Sequence, residues 1–313
     1  MENLQSRREY GTADLAIEFR NLTKSYGQVQ ALRGIDLEVG RGEIFGFLGP
    51  NGAGKTTAIR CMLDLIRPNS GKLRVLGRDP QANSVEVRKK TGYLPGELSL
   101  DDNLNPRQIL KLFDRMRGGG VDWEEVSAMA ERLQLDLDKA IKNLSKGNKQ
   151  KVGVIQAFMH HPELLLLDEP TSGLDPLMQK EVVALVREAK ASGATVFFST
   201  HILSEAQEVS ERIAIVRNGS IVKSGDTSEL ISQSILRANI VLRVPIEFDE
   251  LGKLSGIRVL AGSDGHRLKV EISGEMDELF QLLAGHRVTH FETERASLED
   301  VFLALYAGGG EDQ

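Results

Sequence analysis

The segment from residue 49 to residue 56 restricts the fold of this chain more than any other. It reads Gly-Pro-Asn-Gly-Ala-Gly-Lys-Thr and fits the phosphate-binding pattern G-x-x-x-x-G-K-[ST]. The apolar run at 44–48 precedes it as a strand would, and residues 57–63 continue as a helix would. A strand, a glycine-rich loop and a helix in this order let backbone N–H groups surround a polyphosphate at a helix N-terminus. The sequence therefore predicts a nucleoside triphosphate site in an α/β fold.

Two side chains of this segment have predicted roles in binding the triphosphate. Lys55 is expected to reach the β- and γ-phosphates, and the Thr56 hydroxyl is expected to bind Mg²⁺. An ordinary glycine-rich turn is the alternative, and the flanking strand and helix patterns argue against it. The predicted nucleotide-binding residues of this segment are Gly49, Pro50, Asn51, Gly52, Ala53, Gly54, Lys55, Thr56 and Thr57.

Length and composition favour a soluble protein. At 313 residues the chain has room for one large domain and a smaller one, or for two medium ones. No run approaches the ~20 apolar residues of a membrane-spanning helix, and the polar residues 1–14 lack a secretory core. Cys61 is the single cysteine, so a reducing cytoplasm is expected, with the thiol as a small buried apolar group.

Charge is distributed unevenly along the chain. Residues 226–313 include 16 acidic and 8 basic side chains, whereas the preceding part is nearly neutral. A domain that binds nucleic acid generally presents a basic face. The charge pattern therefore argues against a nucleic-acid partner.

Strand-like pieces surround the phosphate-binding segment. Residues 16–19 and 35–39 resemble antiparallel hairpins that lead into the strand before the loop, and residues 72–76 add another strand. Four glycines are expected to break the first pieces: Gly27, Gly34, Gly40 and Gly42.

A helical insertion and a parallel core follow. Residues 105–144 show helical spacing, interrupted by the glycines at 118–120. Three apolar runs then alternate with helical stretches, as parallel β–α units do, at 164–167, 195–199 and 212–216.

The last part of the chain is predicted to be a small α+β accessory domain. The predicted division is 1–225 and 226–313. Within the second part we expect strands at 240–244 and 267–272, helices at 276–283 and 298–306, and a frayed tail at 308–313.

Asp168 and Glu169 follow the apolar run at 164–167. Ligands of open parallel sheets bind beyond the carboxyl ends of strands, so both acids are expected to face the site. Asp168 would bind Mg²⁺ through water, and Glu169 would polarise the attacking water. The alternative is that strand-end acids cap the next helix, and the phosphate-binding segment argues against it.

Two further polar segments are candidates for contact with phosphate. His201 ends another predicted strand, where it would contact the γ-phosphate or the attacking water, although a lone histidine is usually structural. Ser145 is a predicted N-cap, and the N–H groups near Gly147 form an anion site. A plain helix cap is the alternative for Ser145.

Together these segments resemble the nucleotide-binding subunit of ATP-binding cassette (ABC) transporters. Residues 144–148, Leu-Ser-Lys-Gly-Asn, resemble the signature Leu-Ser-Gly-Gly-Gln, with Lys146 and Asn148 as departures. Residues 172–175, Ser-Gly-Leu-Asp, are similar to the dimer-contact loop, and His201 matches the switch histidine. The match covers about residues 16–225.

The resemblance implies a P-loop NTPase fold of ABC type. That fold has a parallel core sheet, an antiparallel β subdomain and a helical subdomain, here followed by the accessory domain. It also implies that Tyr26 stacks on adenine, which its flat apolar face suits. The residues expected to act on the chain's own Mg²⁺ and ATP are Lys55, Thr56, Asp168, Glu169 and His201, with Glu169, His201 and Lys55 as the catalytic ones.

One departure affects the loop between the phosphate-binding segment and the helical insertion. The family usually has a glutamine after an apolar-Pro stretch, and here Gly96 stands at that position, followed by Glu97. A glycine has no side chain with which to bind Mg²⁺ or sense the γ-phosphate. The loop is still expected to couple the two subdomains.

The resemblance also implies partners. Two cassettes would face each other head to tail, with Ser145, Gly147 and Asp175 acting mostly on the partner's ATP, in a homodimer or beside a second ATPase chain. Without a membrane segment the chain would work with a multi-span membrane permease, as a cytoplasmic protein on the inner face of the membrane. Residues 296–303 resemble the C-terminal piece of ATPases that serve exporters of drugs, antibiotics, polysaccharides or ions.

Two other functions are alternatives to transport. A non-transport ABC ATPase acting on ribosomes or DNA usually has two cassettes in one chain, or coiled coils or zinc motifs, and this sequence has neither. In a P-loop kinase or GTPase, the signature and the dimer-contact loop would have no role. ATP-driven export of a small molecule or similar cargo is therefore the predicted function.

Overall fold

The computed structural model describes residues 14–232, 236–252, 254–272, 276–294 and 297–307. Contacts divide the chain into two compact units, the first ending at Asp226 and the second beginning at Thr227. The polar N-terminus before residue 14, the tail from residue 308 and position 296 of the exporter-like segment lie outside the described residues. Within the described ranges, no helix is both long and apolar enough to cross a membrane.

The first unit contains an antiparallel three-stranded sheet in the order β2-β1-β4. Its strands are β1 (Leu15–Tyr26), β2 (Val29–Gly40) and β4 (Ser70–Val75). The prediction that Gly34 breaks a strand was wrong. The strand pair continues through a bulge at which Asn21 and Gly34 both have positive φ, 48° and 76°.

The second sheet of this unit has six strands in the order β5-β6-β7-β3-β8-β9. Five are parallel, and β9 pairs antiparallel with β8 at one edge. The strands are β3 (Ile44–Leu48), β5 (Thr91–Leu94), β6 (Leu164–Asp168), β7 (Thr195–Thr200), β8 (Arg212–Arg217) and β9 (Ser220–Asp226).

Helices pack on this sheet and form the helical insertion. They are α1 (Lys55–Met62), α2 (Ser84–Lys89), α3 (Pro106–Arg117), α4 (Trp123–Arg132), α5 (Lys146–Phe158), α6 (Pro176–Ala191) and α7 (Leu203–Val209), with a 3-10 turn at Ile141–Asn143. The predicted break at 118–120 is confirmed, because Gly118 caps α3 with a φ of 103°.

Successive side chains of each buried strand point to opposite faces of the sheet, so the sheet contributes to two apolar cores. On β6, Leu164 and Leu166 pack with α1 and the antiparallel sheet, whereas Leu165 and Leu167 pack with α5 and α6. All five residues of β6 are buried. Strands buried on both faces read as continuous apolar runs, which is why β6 was predictable from sequence. Cys61, which lies on α1, is buried in the core, as predicted.

The second unit is an α+β structure around a four-stranded antiparallel sheet in the order β11-β12-β10-β13. Its apolar core includes Ile240, Leu251, Val270 and Leu279. The elements are α8 (Thr227–Ser232), β10 (Leu236–Leu242), α9 (Phe248–Leu251), β11 (Ile257–Val259), β12 (Arg267–Ile272), α10 (Asp277–Ala284), β13 (Val288–Glu294) and α11 (Leu298–Ala307).

Candidate active site

The phosphate-binding segment joins the end of β3 to the start of α1. Gly54 caps the helix in the left-handed region, with a φ of 108°. A Cβ at this position would lie 2.4 Å from the carbonyl oxygen of Ala31, so only glycine fits. The first residues of α1, Lys55, Thr56 and Thr57, line a cavity at this end of the sheet, and a helix N-terminus favours an anion.

Lys55 is held across the loop that precedes it. Its Nζ donates hydrogen bonds to the carbonyl oxygens of Gly49 at 2.8 Å and Pro50 at 3.2 Å. The side chain is 5% exposed, and this burial lowers its pKa, while the nearby carboxylates of Glu169 and Asp168 act in the opposite direction. A buried ammonium in this position can bind phosphate oxygens with little rearrangement.

A cavity of about 460 Å³ lies at this end of the sheet. Its volume is within the usual range of small-molecule sites. The residues that line it are Ala31, Asn51, Gly52, Gly54, Lys55, Thr56, Thr57, Arg60, Gly96, Glu97, Lys146, Asp168, Glu169 and Ser172.

Thr56 and Asp168 form a pair of oxygen donors in this cavity. The Thr56 hydroxyl donates to Oδ2 of Asp168 at 2.6 Å, and the Ser199 hydroxyl donates to Oδ1 of the same carboxylate. Mg²⁺ prefers carboxylate and hydroxyl oxygens and is usually bound through one or two protein ligands plus phosphates. The donor set therefore fits a Mg²⁺ ion bound with a nucleoside triphosphate.

Glu169 follows β6 in an unusual backbone conformation, with a φ of 50°. Its N–H donates to the carbonyl oxygen of Ser199 at 3.0 Å. The side-chain amide of Gln150 donates to the carbonyl oxygens of Glu169 at 3.1 Å and Pro170 at 3.2 Å. A non-glycine residue at positive φ persists only where the surroundings fix it. These contacts turn the side chain of Glu169 out of line with the strand and into the cavity.

The carboxylate of Glu169 lies between two cationic or ionisable groups. Its Oε1 is 3.6 Å from Nζ of Lys55 and 3.1 Å from Nδ1 of His201. His201 directly follows β7, which neighbours β6 in the sheet. The two strand ends therefore place the carboxylate of Glu169, the imidazole of His201 and the ammonium of Lys55 together.

The signature and dimer-contact segments pack against each other. The predicted N-cap is confirmed, because Oγ of Ser145 accepts a hydrogen bond from the N–H of Asn148 at 3.2 Å. A Cβ at Gly147 would lie 2.5 Å from the carbonyl oxygen of Gly173. Asp175 caps α6 by accepting from two backbone N–H groups.

Eight of the predicted residues are not part of the cavity lining that the described residues form: Tyr26, Gly49, Pro50, Ala53, Ser145, Gly147, Asp175 and His201. Tyr26 ends β1 with its ring exposed, and Nζ of Lys24 lies 5.3 Å from the ring centroid. Lys146, beside the signature serine, does line the cavity.

Three site residues were absent from the sequence predictions. Arg60 lies four residues after Thr56 on α1, a spacing that places both on one helix face and was a usable signal. Ser199 lies on β7, next to β6, and its hydroxyl donates to Asp168. Its signal in the sequence was that His201, a predicted site residue, lies two positions later. Gln150 had no local signal, because its contacts with Glu169 and Pro170 exist only in the folded chain.

Gly96 leaves space next to Asp168, and replacing it tests the role of this loop. A Cβ at position 96 would lie 3.4 Å from Oδ2 of Asp168, which is ordinary contact, and the backbone there is not left-handed. We expect Gly96→Gln and its matched control Gly96→Ala to keep wild-type ATP affinity in equilibrium binding. A loss of about tenfold, equivalent to about 1.4 kcal/mol, would contradict this placement of the loop.

Family models match both units of the chain. The model described as ABC transporter matches residues 32–172. The model described as the C-terminal domain of DrrA1-3-like ATP-binding proteins matches residues 227–306.

Relatives match nearly the whole chain. The daunorubicin resistance ATP-binding protein DrrA3 of Streptomyces coeruleorubidus is 34% identical over 309 residues, which cover 94% of this chain and 96% of the relative. The bacitracin transport ATP-binding protein BcrA of Enterococcus faecalis is 32% identical over 311 residues, which cover 95% of this chain and 98% of the relative.

Solved structures agree with the fold. An ATP-binding subunit of an ABC transporter superposes with a TM-score of 0.64 at 29% identity, over 70% of this chain and 92% of that one. A dimeric ATP-binding cassette bound to ADP and Pi superposes with a TM-score of 0.62 at 23% identity, over 67% of this chain and 98% of that one. These matches confirm the predicted fold class. The chain belongs to the ABC transporter family of ATP-binding proteins, a family that hydrolyses ATP.

Proposed function

We propose that this chain binds Mg²⁺ and ATP and hydrolyses ATP to drive export through separate membrane subunits. The observation that carries the proposal is the position of Glu169, whose Oε1 lies 3.6 Å from Nζ of Lys55 and 3.1 Å from Nδ1 of His201. A carboxylate at the edge of a phosphate cavity can accept a proton from an attacking water. Lys55 at the same point can neutralise charge on the phosphates.

The other residues of the site bind the phosphates, bind the metal ion or orient Glu169. Backbone N–H groups of residues 51–57 and Nζ of Lys55 would hold the phosphates, while Thr56 and Asp168 would hold the metal ion. When bound, Mg²⁺ supplies positive charge to the β- and γ-phosphate oxygens. His201 donates a hydrogen bond from Nδ1 to the carboxylate of Glu169 and so orients it.

The site is proposed to be completed by a second copy of the chain. Ser145, Gly147 and Asp175 lie outside the lining of the chain's own cavity, as the described residues define it. The exposed N–H groups at the start of α5 are suited to an anion. Because each copy has both the phosphate-binding segment and the signature, two copies in a head-to-tail pair would form two complete sites. Tyr26, exposed at the end of β1, would stack on adenine.

Transport would then couple pair closure to a multi-span membrane permease. The named relatives serve daunorubicin resistance and bacitracin transport, which supports export of a small molecule. The C-terminal match to the DrrA-like domain supports the same class. The chain would act at the inner face of the membrane, on its cytoplasmic side.

Co-purification from detergent-solubilised membranes tests the transport proposal. The full chain is used as bait with crosslinking in its source cells, and the Lys55→Met variant serves as the matched bait that binds ATP poorly. We expect both baits to recover a multi-span membrane protein. The recovered protein should stimulate ATP hydrolysis by the wild-type bait but not by the Lys55→Met bait. Recovery of ribosomes or DNA without any membrane protein would contradict the proposal.

A further inference from the structure

Glu205 is a buried carboxyl that the proposed reaction does not use. It lies on α7, the helix that follows His201, and is 8% exposed. Burial raises the pKa of this carboxyl above its usual value, while hydrogen bonds from two threonines and the nearby His201 act against that change. Burial of a carboxyl group costs free energy unless the group makes specific contacts.

The contacts of Glu205 join two different loops. The hydroxyl of Thr171 donates to Oε2 of Glu205 at 2.8 Å, and the hydroxyl of Thr200 donates to the same oxygen at 3.3 Å. Both threonines are themselves buried. The other oxygen, Oε1, is buried and has no hydrogen-bond partner among the described residues. One carboxylate oxygen therefore connects the segment after β6 to the end of β7.

On the β7 side, the contact fixes the turn that presents His201. The Thr200 hydroxyl accepts a hydrogen bond from the N–H of Ile202 at 2.9 Å while it donates to Glu205. The hydroxyl of Thr200 thereby holds the residues on either side of His201, Thr200 and Ile202, next to Glu205. Because a hydroxyl can rotate, the acceptor at Glu205 is what sets its direction.

On the β6 side, the contact supports the segment that presents Glu169. Thr171 lies two residues after Glu169, and its carbonyl oxygen accepts from the N–H of Leu174 in the dimer-contact loop. The N–H of Ser172 donates to the carbonyl oxygen of Glu169 at 3.1 Å. Glu169 is held at a φ of 50°, a conformation that requires support from its surroundings.

We propose that Glu205 is a positioning residue that holds Glu169 and His201 in register by binding Thr171 and Thr200 through one carboxylate oxygen. This inference rests on the proposed ATP hydrolysis. In this proposal, the carboxylate of Glu205 connects the catalytic base, the histidine and the start of the dimer-contact loop. Glu205 acts through these residues and is not part of the nucleotide cavity lining that the described residues form.

Three variants separate this role from general support of the fold. Glu205→Leu has similar size and removes the acceptor, whereas Glu205→Gln keeps one acceptor oxygen. Glu208→Leu is the matched control, because Glu208 lies on the same helix and its carboxylate makes an exposed ion pair with Arg187. Each is measured for kcat and, separately, for the Kd of a fluorescent ATP analogue.

The expected kinetic result is a split between turnover and binding. We expect kcat of Glu205→Leu to fall by about tenfold or more, because two buried hydroxyls lose their acceptor. The Kd should stay within about twofold of wild type, because the phosphate-binding segment is not contacted. Glu205→Gln should recover kcat to within about threefold. In a His201→Ala background, the Glu205→Leu loss should shrink, because both changes act on the same groups.

Amide hydrogen exchange in the nucleotide-free protein gives a readout that needs no hydrolysis. We expect the Ile202 amide to exchange about tenfold faster in Glu205→Leu, and at the wild-type rate in Glu208→Leu. If Glu169→Gln hydrolyses ATP normally, the proposed function fails, yet this exchange rate still tests the contact made by Glu205.

The opposite outcomes are equally defined. Unchanged kcat and unchanged Ile202 exchange in Glu205→Leu would overturn the proposal, and so would a loss of ATP affinity that parallels the loss of kcat. If Glu205→Leu does not fold, Thr171→Val and Thr200→Val decide, because each removes a hydrogen bond to Glu205 at nearly constant volume, and Thr200→Val also removes the bond from the Ile202 N–H. Reduced kcat with retained affinity in both supports the proposal, and wild-type kcat in either one overturns it.

Discussion

Glu169→Gln is expected to lower ATP hydrolysis by about 10²- to 10⁴-fold, the usual contribution of a general base, while ATP binding is retained. The amide keeps the shape of the side chain and its contact with His201, at 3.1 Å in the wild type, but cannot accept the proton. The variant also loses the ion pair between Oε1 of Glu169 and Nζ of Lys55, at 3.6 Å. Because the ammonium of Lys55 is then no longer paired with this carboxylate, its binding to phosphate should not weaken. Single-turnover hydrolysis and equilibrium binding measure the two effects separately.

The matched control for this variant is Glu163→Gln. Glu163 directly precedes β6, at the opposite end of the same strand, and makes exposed ion pairs with Lys90 and Arg41. Such pairs contribute little to stability, so this variant should hydrolyse ATP at the wild-type rate. Near-normal turnover of Glu169→Gln would remove Glu169 as the base.

Lys55→Met is the second change with a large expected effect. It keeps most of the apolar length of the side chain and removes the ammonium that donates to the carbonyls of Gly49 and Pro50. A charge-assisted hydrogen bond contributes about 1.5–3 kcal/mol, so we expect ATP affinity to fall by about a hundredfold. Isothermal titration with ATP and Mg²⁺ measures the change directly.

Lys90→Met is the control for the loss of a lysine. Lys90 precedes β5, at the end of the sheet opposite the cavity, and makes an exposed ion pair with Glu163. Its ATP affinity should equal that of wild type. Equal affinities of Lys55→Met and Lys90→Met would show that the buried ammonium does not bind phosphate.

Local patterns in the sequence accounted for the parts of the site that lie in continuous segments. The placement of the loop at 49–56 between β3 and α1, and of Asp168 and Glu169 at the end of β6, was predictable because strand, loop and charge occur together in the chain. The contacts of Gln150 with Glu169 and of Glu205 with Thr171 were not, because they join residues 19 and 34 positions apart. A single polar residue on a helix gives no sign of such a contact.

The same distinction holds for the fold. Strands β6 and β7 are buried on both faces and read as apolar runs. Strand β9 lies at a sheet edge and has exposed positions at Val222 and Lys223, so its pattern resembles a loop. Gly34 was predicted to end a strand because sequence cannot distinguish a bulge from a break.

Mixing two inactive variants tests most directly whether two copies of this chain share each ATP site. Lys55→Met removes phosphate binding. Ser145→Asp keeps an N-cap acceptor for Asn148 and places a negative charge where the partner's phosphates would lie. Each variant alone should be nearly inactive. Their equimolar mixture should recover about one quarter of the wild-type rate, because half of the pairs are mixed and each mixed pair has one complete site. A mixture no more active than its components would contradict a site shared between two copies.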